Sequence, residues 1–263
     1  MNWTRIQGMV YRHLVLYKRS FPKILDVFFW PTMDLIVWGF VSIYILNSSE
    51  EVPGFVGFFL GAVIFWEILF RSNLGVAVGF LEDVWTRNFL NIFASPLKLS
   101  EFMTSLVISS FIRITIGTIF MIILAILFYQ FNIAVIGLSL VLFFANLLLM
   151  GWSLGFIAVA IILRFGHGAE VLAWAFAFIF QPVSAVFYPV SVLPQILQKI
   201  AQFVPASHVF EGMREILNSG TFLISEFIWA MGLNLVYLSA AITLVYVIFK
   251  QAKMKGRLTR YWQ

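Results

Sequence analysis

The sequence predicts an all-α integral membrane protein with six transmembrane helices and cytoplasmic N- and C-termini. Three observations carry that reading: an apolar composition, apolar runs of bilayer-spanning length, and a lopsided placement of lysine and arginine. Of the 263 residues, 62% are hydrophobic and 11% charged, and the mean hydropathy is +0.97. A soluble domain carries roughly 25% charged residues, and a chain this apolar could not cover a globule with polar side chains. Cytosolic enzymes, disordered chains and nucleic-acid binders are thereby excluded, the last despite a pI near 9.6. With no cysteine, a disulfide scaffold, a thiolate metal site and a cysteine nucleophile are excluded too. His13, His167 and His208 lie too far apart to make a ligand spacing.

A helix needs about 20 mostly apolar residues to cross the hydrocarbon core. Six runs meet that length, at residues 24–46, 55–76, 102–129, 135–163, 171–190 and 227–249. A closed β-barrel would instead alternate polar and apolar residues along strands of about ten residues. Stretches such as IFMIILAILF and LSLVLFFANLLLM do not alternate, so the spans are read as helices.

Orientation follows from the basic residues. Arg5, Arg12, Lys18, Arg19 and Lys23 precede the first run; Lys250, Lys253, Lys255, Arg257 and Arg260 follow the last. Arg87, Lys98 and Arg164 join them from two connections, against only Lys199 and Arg214 on the other side. That other side also carries Glu50 and Glu51, and no charge from Gln130 to Asn132. The same bias, facing anionic headgroups, accounts for the basic pI. The N-terminal segment is not read as a cleavable signal, because its charged region is long and Asp26 and Asp34 follow.

Three segments are more than spans or connections. Residues 1–23 place Trp3, Ile6, Val10, Leu14 and Tyr17 on one helical face and Arg5, Arg12 and Arg19 on another. This describes an interfacial helix, either an elbow that positions the first span or a plain lipid anchor. Residues 82–101, EDVWTRNFLNIFASPLKLSE, set Val84, Trp85, Phe89, Ile92 and Phe93 for a short amphipathic helix that Ser95-Pro96 ends. Such a helix suits a groove on another protein or the bilayer surface. Residues 191–226 read as two short helices hinged at Pro205. Ile196, Leu197, Ile200, Phe203 and Val204 mark one apolar face, and Val209, Met213, Ile216 and Leu217 the other. That is a re-entrant extracytoplasmic hairpin, a gate or a cap, whose irregular backbone must be buried by protein or line a cavity.

Intramembrane charges are functional suspects by default. Asp34, Glu67 and Arg113 fall near mid-membrane and Arg71 nearer the cytoplasm. Glu67 and Arg71 have the favourable spacing and order for an intrahelical ion pair. Two acids and two bases make either a self-neutralising structural network or part of a substrate or proton path. Gly57 with Gly61, Gly75 with Gly79, and Gly151 with Gly155 form GxxxG pairs, which allow close helix contact. Trp30, Trp38, Trp174, Phe178 and Phe187 could line a pathway or simply pack. No GxxxxGK[ST] loop is present, nor any metal-ligand or nucleophilic constellation, so the chain has no energy source or cofactor of its own.

The run PVSAVFYPVSVLPQILQKIAQFVPASHVFEGMREIL resembles the C-terminal signature of ABC-2 type permeases, the membrane subunits of bacterial ABC exporters. The matching positions are Pro182, Phe187, Tyr188, Pro189, Leu193, Pro194, Pro205 and Arg214. Glu82 and the SPL at Ser95 to Leu97 resemble the family's cytoplasmic coupling segment. Where relatives often have Gly-Thr, this chain has Arg87-Asn88. The resemblance implies one transmembrane domain over residues 1–263, in the bacterial plasma (inner) membrane. It also implies a homodimer, or a pair of related permeases, bound to separate subunits that carry ATP and Mg. Coupling would run through Glu82, Trp85, Arg87, Phe89, Ser95 and Pro96. Substrates would be drugs, lipids or lipid-linked glycans. A secondary carrier or channel, and a membrane scaffold, remain the rival readings of the residues themselves.

Overall fold

A computed structural model describes residues 1–48, 55–131 and 137–254. Glu50, Glu51, Asn132, the first residues of the expected fourth span, and Lys255, Arg257 and Arg260 lie outside the described residues. The fold is all-helical, with no strand among the described residues.

The described residues form ten α-helices in order: α1 (Trp3–Lys18), α2 (Phe21–Ser48), α3 (Phe55–Trp85), α4 (Phe89–Ala94), α5 (Leu99–Tyr129), α6 (Ser139–Phe165), α7 (Leu172–Phe180), α8 (Gln195–Ala201), α9 (Pro205–Ser219) and α10 (Ile224–Met254). Among the described residues, five are long and apolar enough to cross a membrane: α2, α3, α5, α6 and α10. α3 and α6 form the axis and are buried by protein along most of their length; α2, α5 and α10 are largely open on their outer faces. In a membrane protein those outer faces meet lipid, which is as apolar as leucine, so their exposed side chains incur no penalty.

Glycine sets the spacing of the axial pair. A β-carbon on Gly151 would lie 2.5 Å from the Leu69 carbonyl oxygen, and one on Gly155 2.8 Å from that of Asn73. The GxxxG pair on α6 is thus a seam within the chain, where α3 and α6 approach backbone to backbone.

Two apolar clusters fill the bundle. One, around Phe65, Phe143, Leu147 and Phe210, lies toward the end carrying α9. The other, around Phe80, Phe89, Phe102 and Phe156, lies toward the end carrying α4. Glu67, Ser72, Asn73 and Ser110, all buried, sit on α3 and α5 between the residues of these two groups.

The expected fifth span, 171–190, is not one helix. α7 is 9 residues long, and turns follow it from Gln181 onward. Pro182 lacks the N–H that would continue the ladder, and Ala185 adopts φ 53, a left-handed conformation that turns the chain. A nine-residue helix rises about 13 Å, less than half of a hydrocarbon core of about 30 Å. The chain then passes Pro189 into α8 and α9. α9 begins on Pro205 at its first turn and packs Val209, Phe210, Met213 and Ile216 inward. α8 does the opposite, leaving Ile196 and Ile200 exposed, as is Phe203 just beyond its end.

Candidate functional site

Three groups of polar side chains are built into this frame. The first lies where α7 breaks off. Arg214 of α9 donates through Nη2 to the carbonyl oxygens of Ala185 (2.8 Å) and Tyr188 (2.9 Å). These are backbone acceptors of the turns that follow α7, where no helical ladder supplies a donor. Glu211, one turn earlier, accepts from the Val190 amide at 2.7 Å and pairs with Arg214 at 2.8 Å. Tyr188 donates its hydroxyl to the Pro182 carbonyl at 2.8 Å. Phe187 stacks on Trp38 of α2, ring centroids 4.8 Å apart, and on Phe59 of α3 at 5.6 Å. Pro182, Phe187, Tyr188, Pro189 and Arg214 therefore meet in one corner. Pro194 starts α8 and Pro205 starts α9, each setting a chain direction rather than touching that corner.

The second group lies at the opposite end, in residues 82–101. Val84 and Trp85 belong to the last turn of α3, and Arg87 at φ 53 separates that turn from α4. The reversal splits the expected amphipathic helix. Phe89 is 2% exposed, wedged against Phe80, Phe93 and Phe102. Trp85 is 45% exposed and donates Nε1–H to Glu170 at 3.0 Å. Arg87, Ser95 and Pro96 also face outward. Ser95 closes α4 by donating to the Ile92 carbonyl at 2.5 Å, and its extended backbone ends the helix just ahead of Pro96.

α1 is fastened beneath this segment. Arg12 Nη2 donates to Asp83 Oδ1 at 2.5 Å, and His13 Nε2 lies 3.3 Å from Asp83 Oδ2. Glu101 accepts from the amides of Asn2 (2.7 Å) and Lys98 (2.9 Å), with Arg5 at 3.7 Å. Arg5 also donates to the Pro96 carbonyl at 2.5 Å. Ile6 and His13 are buried against α5, whereas Trp3, assigned to the same face by periodicity, is exposed. A groove of about 390 Å³ runs between α1 and α4, bordered by Arg5, Arg12, Asn91 and Pro96.

The third group is the set of interior charges. Arg71 Nε donates to Glu67 Oε2 at 2.5 Å, the expected pair one helical turn apart. Asp34 of α2 interacts with Glu67 from the other side. Arg71 also bonds the Asp26 carbonyl at 3.1 Å. Arg113 does not join them. It donates to the Ser109 and Gly75 carbonyls, both at 3.2 Å, and lies 4.0 Å from the ring centre of Tyr17. The four charges are thus not one network: three meet, and Arg113 faces them across a cavity of about 340 Å³ that Arg71 also borders. Burial, with Glu82 adding and Arg113 opposing, pushes the Tyr17 phenol in that wall up to about 12. Lys23 pairs with Glu82 across the same space at 2.8 Å.

A family model described as ABC-2 type transporter matches residues 4–218. The chain belongs to the ABC-2 type transporter family. The match covers α1 through α9 and includes all three polar groups; α10 lies beyond it. No curated protein matches the chain. Membership makes this a multi-pass membrane permease, and it implies a partner subunit that binds ATP. Among its described residues, this ABC-2 permease has no cluster of three or more His, Cys, Asp or Glu placed to hold a metal.

Sequence reasoning passed over His13, Asp83, Glu101 and Glu211. The heptad spacing of Arg5, Arg12 and Arg19 held a signal for two of them. A regular basic stripe on an amphipathic helix needs acceptors, and Asp83 and Glu101 are two of the three acids in residues 82–101.

Proposed function

We propose that this permease is the membrane half of an ATP-driven exporter in the bacterial plasma membrane, moving a hydrophobic or amphipathic molecule out of the cytoplasm as a homodimer. Residues 82–101 dock on the ATP-binding subunit. Trp85, Arg87, Ser95 and Pro96 make the outward contacts, while Phe89 anchors α4 to the bundle. Glu82 holds the segment through Lys23. The α7 corner, with Pro182, Phe187, Tyr188, Pro189 and Arg214, acts as the gate, and α8 with α9 forms a hairpin dipping into the outer leaflet.

The observation that carries the reading is the pairing of two features at opposite ends of α3. At one end is an exposed tryptophan on a rigid, inwardly anchored platform, a common form for a binding hot spot. At the other is a short helix followed by irregular backbone whose carbonyls are held by a single arginine, the arrangement expected where such backbone sits at membrane depth. Arg5 and Arg12 border the groove beside α4, which favours an acidic contact from the docked subunit.

Co-purification tests the reading. An ATP-binding subunit should accompany the wild-type chain, and reconstituted vesicles should move substrate only with ATP. Transport by the permease alone down a proton gradient would overturn it.

A further inference from the structure

Arg113 is a cation inside the bundle that forms no ion pair with any described carboxylate. Lys23 has Glu82, and Arg71 has Glu67 and Asp26. Arg113 has two carbonyl oxygens and the face of Tyr17. A guanidinium carries five N–H hydrogens, so three have no acceptor among the described residues. The tyrosine ring offsets part of the cost of holding the charge away from water, and an intramembrane arginine with hydrogens to spare marks a ligand path by default.

The space it faces is shaped for one. The cavity of about 340 Å³ lies at the small end of ligand sites, which run roughly 300–1,000 Å³. Its charged lining is Lys23, Arg71 and Arg113 against Asp26 and Glu82, one positive charge in excess. Trp85 and Trp174 border it, both exposed, the residue type that settles at the headgroup level of a bilayer. From Trp85 the cavity reaches down α3 to Arg71, about 21 Å by helical rise. Its remaining wall includes apolar Val27, Leu74 and Val78. A charged floor beside an apolar wall, entered at headgroup level, matches a molecule with an anionic head and a greasy tail. The planar guanidinium fork favours phosphate, which it can grip with two parallel hydrogen bonds.

We propose that this cavity binds the phosphate head of an anionic amphiphile, with Arg113 as the phosphate ligand and the apolar part lying along Val27, Leu74 and Val78. The proposal rests on the permease reading and names the chemical class of its substrate. The phosphate can belong to a bilayer phospholipid or to a phosphorylated amphiphile in transit; the two present the same group to Arg113.

The test is native mass spectrometry of the purified full-length chain, titrated separately with phosphatidylglycerol, phosphatidylcholine and inorganic phosphate. Phosphatidylglycerol should bind about tenfold or more tightly than the other two. Arg113→Gln should weaken it about tenfold, the scale of one charge-assisted hydrogen-bond pair, and Arg113→Lys should lose less. Val78→Trp fills the cavity and leaves every charge in place, so it should weaken binding even if Arg113→Gln fails to fold. Equal phosphatidylglycerol binding by wild type and Val78→Trp would overturn the proposal, as would inorganic phosphate binding as tightly as the lipid. Binding needs neither ATP nor a partner, so it separates from the exporter reading. If phosphatidylglycerol binds through Arg113 but ATP moves neither it nor a phosphorylated amphiphile, the site stands and the export assignment falls.

Discussion

Arg12 of α1 and Asp83 in the last turns of α3 are joined by a 2.5 Å charge-assisted hydrogen bond between residues 71 positions apart. Asp83 is almost wholly enclosed, and its second oxygen faces His13. α1 and the axial helix α3 are thereby tied together where residues 82–101 begin.

Breaking that joint by Arg12→Ala should lower stability by about 2 kcal/mol, the range for a hydrogen bond to a buried charge. A double-mutant cycle with Asp83→Asn should return a coupling of about 1 kcal/mol or more, read from thermal unfolding in detergent. A coupling near zero would mean that the two side chains are neighbours without consequence.

Trp85 and Phe89 should fail in different ways. Trp85→Ala should leave the chain's melting temperature nearly unchanged and weaken capture of the ATP-binding subunit about tenfold or more. Phe89→Ala should destabilise the chain by about 3–5 kcal/mol, because it empties a buried ring site. Identical behaviour of the two variants would contradict the division of the segment into contact and anchor.

At the α7 corner, Arg214→Ala leaves the Ala185 and Tyr188 carbonyls without a donor, at roughly 1–3 kcal/mol for each buried group. Transport should be lost even where the protein still assembles with its partner. Arg214→Lys keeps the charge but gives up the planar fork, and should retain a fraction of the activity. Full transport by Arg214→Ala would remove the corner from the mechanism.

The α3–α6 seam can be probed without touching any polar group. Gly155→Ala should lower stability by about 1–3 kcal/mol, since the new methyl must push against the Asn73 carbonyl. Gly168→Ala, at a position with open space around it, is the control and should be silent.

What the sequence made legible was whatever depends on neighbours along the chain. The Glu67–Arg71 pair is one helical turn long, so spacing alone finds it. The Ser95-Pro96 stop and the inner face of α9 are equally local. Phe89 was assigned outward beside Trp85 because helical periodicity was carried across Arg87; the left-handed backbone there resets the phase, and nothing in the side chain announces it. Residues 171–190 are apolar throughout, so hydropathy reads a full crossing. The helix stops at Phe180, ahead of Pro182, and the turns beyond it are held by Arg214, 29 residues past Ala185; hydropathy carries no record of such partners. Arg113 was grouped with Asp34, Glu67 and Arg71 by depth alone. Depth does not say which way a side chain turns, and this one turns toward Tyr17.

α3 has a mechanical meaning of its own. It runs unbroken for 31 residues with no proline inside, about 46 Å by helical rise. It begins beneath α9, where Gly61 meets Met213, and ends at Trp85. A displacement of a few ångströms applied at Trp85 cannot be absorbed along such a rod and must emerge beneath Met213. α7 runs beside it and ends at half depth, so it yields where α3 pushes. If the chain couples as proposed above, the bundle offers a stiff strut and a compliant joint side by side, so that a pull at Trp85 would become a tilt of α9 at the far end.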